Sequence, residues 1–156
     1  MSGALKLEFA PLATPAKGVL VLFCEDGLKF GSAALRAIKP TGDLVTRAAA
    51  ADRFKGKNGS ALDIVAPLGL EATRLVVVGV GKARDLKTRD FVKLGGAVIG
   101  RIPAAAGEAT ILVDLPGGSL KPDRVADLAL GVQLRAYTFD RYKTKRKDAE
   151  ERPSRI

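Results

Sequence analysis

The pattern of apolar and polar positions opens with a short alternation. Leu5 to Phe9 sets apolar against charged residues, which predicts a strand with one wet face. Gly18 to Cys24 is a continuous apolar run, the pattern of a strand buried on both faces. Pro11 and Pro15 separate the two, and Gly27 and Gly31 open a turn after the second. Ser32 to Ile38 is rich in Ala and Leu and predicts a helix stopped by Pro40 and Gly42. Asp43 is placed to cap a second helix running to about Phe54, with Ala48 to Ala51 favouring it. A turn cluster from Phe54 to Ser60 leads into a strand from Ala61 to Ala66, ended by Pro67 and Gly69.

Arg74 to Val80 is the strongest strand pattern in the chain. Thr88 is placed to cap a helix that puts Phe91, Leu94, Val98 and Ile102 on one face. Gly95, Gly96 and Gly100 fall inside it, each costing up to ~1 kcal/mol of helix propensity against Ala. Their presence predicts close approach of a neighbouring element. Ala109 to Asp114 reads as another buried strand, ended by Pro116 and two glycines. A last helix from Pro122 carries two apolar stripes. One holds Val125, Leu128, Ala129, Val132, Ala136 and Phe139; the other holds Leu130, Leu134 and Tyr137. Apolar on both sides, this helix is expected to pack deep. The predicted order is β-β-α-α-β-β-α-β-α. It describes an α/β fold of three layers, a largely parallel sheet of at least five strands between helices.

Composition narrows the chemistry. At 156 residues the chain fits one domain with a core of its own. Only 5% is aromatic and tryptophan is absent, so the core must be aliphatic. One cysteine, Cys24, allows no internal disulfide and fits a reducing compartment. Glu8 interrupts the first apolar residues, against a signal-peptide core, and no apolar run approaches the ~20 residues of a membrane span. A cytoplasmic protein with no membrane partner is expected. Histidine is absent, which removes Ser-His-Asp and Cys-His catalysis and His-based zinc sites. The acids are scattered or paired with Lys and Arg, so no catalytic residue and no metal ligand is assigned. Cys24 ends a buried strand without a partner and reads as a core residue.

Two features remain. Gly79-Val-Gly-Lys82 follows a strand where α/β folds bind phosphates. The dinucleotide fingerprint requires a third glycine where Arg84 stands, and the Walker pattern requires Gly at Val76 and Ser or Thr at Ala83. Gly79, Gly81 and Lys82 are left as a weak anion site, with a tight glycine turn as the other reading. Lys55 to Gly59 reads as a connection between helix and strand. The net charge is +9, and the stretch from Arg141 to Ile156 holds seven basic residues against three acidic. There Arg141, Lys143, Lys145, Arg146 and Lys147 lie beside Tyr137, Phe139 and Tyr142. This basic end reads either as the solvated start of a linker or as a nucleic-acid patch. Residues 1–140 are the expected domain, and the charged end resembles a cut edge.

Leu134-Arg-Ala-Tyr-Thr-Phe-Asp-Arg-Tyr-Lys-Thr-Lys145 resembles the end of the amino-terminal domain of leucyl aminopeptidases, the cytosol aminopeptidases of peptidase family M17. Phe54-Lys-Gly-Lys57 with Gly59, and Arg74-Leu-Val-Val-Val-Gly-Val-Gly81 with Lys82, are similar to two earlier segments of that family in the same order. The resemblance implies a fold like a macro domain. It implies a parent enzyme that removes amino-terminal residues from peptides with two divalent metals (zinc, manganese or magnesium), as a homohexamer. The family's metal ligands belong to a carboxy-terminal catalytic domain with an Asn-Thr-Asp-Ala-Glu-Gly-Arg run, which this sequence lacks. Some bacterial members also act as DNA-binding regulators, so DNA is a second candidate partner. The macro-domain likeness adds a third, ADP-ribose or a nucleotide near Gly79 to Lys82.

Overall fold

The computed structural model describes residues 5–11, 18–103 and 105–142, with the backbone alone at Ser119 and over 137–142. Its elements are β1 (Val19–Glu25), α1 (Ser32–Ile38), α2 (Leu44–Asp52), β2 (Ala61–Val65), β3 (Arg74–Gly81) and α3 (Thr88–Arg101). They are followed by β4 (Ala109–Ile111), β5 (Asp114–Leu115), β6 (Gly118–Ser119) and α4 (Pro122–Tyr142). Four strands form the main sheet in the order β2-β3-β1-β4, and β5 with β6 makes a small hairpin. β1 pairs in parallel with β3, Val19 opposite Arg74 and Phe23 opposite Val78, and in parallel with β4. β2 is an antiparallel edge, Leu62 opposite Val77. The sheet is therefore mixed and mostly parallel, and helices cover both faces.

The apolar run of β1 follows from this position. Val19, Val21 and Phe23 enter one core with Val76, Val78 and Val80 and with residues of α3 and α4. Leu20, Leu22 and Cys24 enter the opposite core with Leu75, Val77 and residues of α1 and α2. Each fully buried Val, Leu or Phe side chain stabilises by roughly 1.5–3 kcal/mol, so a polar residue on either face would be costly.

The structure departs from the sequence pattern in five places. Asp43 precedes α2 but its side chain makes no cap hydrogen bond. Over Leu5 to Phe9 the only ladder position is a single bridge at Lys6. Leu5 and Leu7 still pack against the core beside α3 and α4, so the alternation marks a wet face without a strand. The run from Ala109 to Asp114 is broken after Ile111, because Asp114 turns to the start of α1. Thr88 does not cap α3: Lys87 holds the position before the helix, and the carboxylate of Asp90 accepts from its amide at 2.8 Å. Finally, α4 is covered on one side only. Leu128, Val132 and Ala136 are buried, whereas Leu130 and Leu134 are 46% and 49% exposed.

Candidate functional site

Three connections converge at the carboxyl end of β1 and β3. The amide of Asp26 donates to the Gly81 carbonyl and that of Gly27 to the Lys55 carbonyl, both at 2.9 Å. The loop before β2 then folds across the end of β3. Gly79 donates to the Ser60 carbonyl at 2.8 Å and Gly81 to the Gly56 carbonyl at 3.0 Å. A Cβ on Gly79 would lie 2.3 Å from the Lys57 carbonyl oxygen, so only glycine admits this loop. Gly81 has φ +68°, which glycine adopts without strain. The amide of Ala83 donates to Oε1 of Glu25 at 2.7 Å. The amides of Gly79, Gly81 and Ala83 thus have protein acceptors, one of them a carboxylate.

What this end offers outward is side-chain charge. Lys29, Lys55, Lys57, Lys82, Arg84 and Lys87 surround it, all exposed. Among the described residues none of the six is in an ion pair. A shallow hollow of about 370 Å³ opens between Lys29, Lys82, Arg84, Glu25 and Asp26. The structure therefore brings Gly79, Gly81 and Lys82 together, with Lys82 facing solvent. Arg141 lies in the last turn of α4, its side chain outside the described residues, and Lys143, Lys145, Arg146 and Lys147 lie outside them altogether.

A buried acid escaped the sequence reading. Asp114 is 1% exposed, and its Oδ2 accepts from the amides of Ala33 at 2.9 Å and Ala34 at 3.1 Å. Its Oδ1 has no partner among the described protein atoms. The available signal was an acid closing an apolar run two residues before Pro116 of a Pro-Gly-Gly turn. Cys24 is fully buried, and its thiol is pushed up to about 12, by burial first and then by neighbouring Glu25. A thiol so strongly protonated is a poor metal ligand. Among the described residues no three of His, Cys, Asp and Glu gather in a group that could hold a metal. The residues present do not fit the divalent pair implied above. Among them, too, no helix is long and apolar enough to cross a membrane.

A family model described as the cytosol aminopeptidase family, N-terminal domain, matches residues 20–146. The chain belongs to this family. The probable cytosol aminopeptidase of Afipia carboxidovorans is 53% identical over 150 residues, covering 96% of this chain and 30% of that protein. One from Rhodopseudomonas palustris is equally similar, and one from Nitrobacter winogradskyi is 49% identical over 155 residues. The chain thus spans about 30% of the length of the curated relatives it matches. Among solved structures, a mutant of tomato leucine aminopeptidase shares the fold. Its TM-score is 0.70 at 17% identity, over 99% of this chain and 32% of that one. In cytosol aminopeptidase terms the described sheet and helices are the N-terminal domain, and Asp114, Glu25 and the six cations are features of that domain.

Proposed function

We propose that this chain is the non-catalytic N-terminal part of a metal-dependent leucyl aminopeptidase, contributing to assembly or to control of access to the active site. The observation that carries the reading is the match of residues 20–146 to the N-terminal domain model, in a chain spanning about 30% of its relatives. On this reading residues 1–140 are the domain and 141–156 begin a linker to a catalytic domain of the same polypeptide. That domain would hold the two divalent metals, and the parent would be a cytoplasmic homohexamer. Hydrolysis of leucine p-nitroanilide tests the claim. The 156-residue chain with added manganese should show no turnover above buffer, and robust turnover would overturn it. Sedimentation and inhibitor access, measured on the full-length enzyme with and without residues 1–140, then separate assembly from gating.

A second reading, nucleic-acid binding, is favoured by six exposed cations at the end of the sheet that form no ion pair among the described residues. Phosphate backbones are held by such charge without base contacts. It is tested by affinity for duplex DNA at low salt, and undetectable binding there removes it.

A further inference from the structure

A second hollow lies on the α3 side of the sheet, between that helix and the turn leading into the β2 edge. Its volume is about 140 Å³. An apolar cavity of ~150 Å³ accepts benzene, whereas sites for drug-sized ligands run from ~300 Å³ upward, so a group the size of one aliphatic side chain fits. The floor is apolar: Val78 and Val80 of β3, Leu94 of α3, and Leu86. Its wall along α3 carries Asp90, Lys93 and, two turns on, Arg101, with exposed Ala97 between the two cations.

Asp90 and Lys93 stand one turn apart, ~5–6 Å between Cβ atoms, a spacing at which opposite charges can pair. They do not. Among the described residues neither Lys93 nor Arg101 is in an ion pair. Asp90 instead accepts from the Lys87 amide at 2.8 Å, which anchors the carboxylate at the start of the helix. An unpaired anion and cation thus flank a small apolar floor.

We propose that this hollow binds a free α-amino acid with an aliphatic side chain. The ammonium would meet Asp90, the carboxylate Lys93, and the side chain the floor of Val78 and Leu94. Arg101 would extend the site to the carboxylate of a dipeptide. The proposal rests on the hollow and not on the enzymatic reading of the chain.

Titration of the ¹⁵N-labelled 156-residue chain with L-leucine tests it by amide shifts. Shifts confined to Ser60, Gly79, Lys93 and Ala97 are expected, saturating with Kd of about 1 mM. L-leucinamide, lacking the carboxylate, and N-acetyl-L-leucine, lacking the ammonium, should each bind at least ~10-fold more weakly. Lys93→Ala should weaken leucine by a similar factor, and Ala97→Phe, which fills the hollow from an exposed position, should abolish the shifts. Both changes lie on the solvent side of α3, so folding is checked by an unchanged spectrum elsewhere. Absence of shifts at about 50 mM leucine, a concentration that would saturate a ~1 mM site, overturns the proposal. So does equal binding of N-acetyl-L-leucine, which would make this an anion site only, or binding that survives Ala97→Phe.

Discussion

Gly95 of α3 and Gly131 of α4 let the two helices meet backbone to backbone. A Cβ on Gly95 would lie 2.0 Å from the Leu128 carbonyl oxygen, and one on Gly131 would lie 1.8 Å from that of Val92. Neither backbone can yield without separating the helices. Gly96 and Gly100, on the same helix as Gly95, have only ordinary contacts at 3.7 and 3.8 Å. Substitution should therefore change sign along one helix. Gly95→Ala and Gly131→Ala gain helix propensity but force the helices apart, for a net loss of about 1–3 kcal/mol. Gly96→Ala and Gly100→Ala should gain up to ~1 kcal/mol. Urea denaturation of the four variants decides, and a uniform sign would contradict the crossing described.

Asp114 ties the β5–β6 hairpin to the start of α1, and its removal should loosen both. Asp114→Ala leaves the amides of Ala33 and Ala34 buried without an acceptor. Hydrogen bonds to a charged group contribute ~1.5–3 kcal/mol each, and an orphaned buried amide costs a similar amount. A loss of at least ~2 kcal/mol is expected, with faster amide exchange at Ala33 and Ala34. Asp114→Asn keeps an oxygen acceptor and should lose less. Equal stability of wild type and Asp114→Ala would show that the contact does not hold the hairpin.

Much of this architecture was legible because local pattern and burial coincide. The run from Gly18 to Cys24 reads as a central strand because both of its faces are covered, and α1 falls on Ser32–Ile38 as the pattern predicts. The glycines in α3 signalled a close crossing, though periodicity could not single out Gly95 or point to Gly131 as its counterpart. In α4 the second stripe, Leu130 and Leu134, was visible as apolar, but nothing in a periodic pattern says which stripe a neighbour covers. The surroundings of Gly79 and Gly81 were beyond reach for another reason. Their amides are taken by Ser60 and Gly56, 19 and 25 positions earlier, and the Ala83 amide by a carboxylate 58 positions earlier. Such long-range pairing leaves no local trace.

The Cys24 thiol gives a pH signature. Burial raises it from 9.0 to about 12, so between those values the unfolded chain has lost a proton that the folded chain retains. Its contribution to stability is complete below the unfolded value and falls as pH rises toward the folded one. Stability should decline from about pH 9 upward, and Cys24→Ala should flatten that slope while costing some packing at all pH values. At pH 8 the native thiol should resist Ellman's reagent and react at the rate of unfolding. Rapid reaction without denaturant would place the thiol at the surface and contradict its burial.

On the nucleic-acid reading, affinity for a polyanion would come from the six cations of the folded body at the carboxyl end of the sheet or from the basic residues after Arg141. Binding to duplex DNA weakens with salt at a slope of about −0.9 per phosphate neutralised. If the body contributes, Lys57→Glu, Lys82→Glu and Arg84→Glu together should lower that slope by at least ~2–3, with the fold intact because all three side chains are exposed. If the basic end alone acts, deletion after Arg141 should abolish binding and the triple variant should leave the slope unchanged. Fluorescence anisotropy across a salt series reads both arms. Affinity that survives both changes would locate the contact elsewhere and leave the exposed cations as solvated surface.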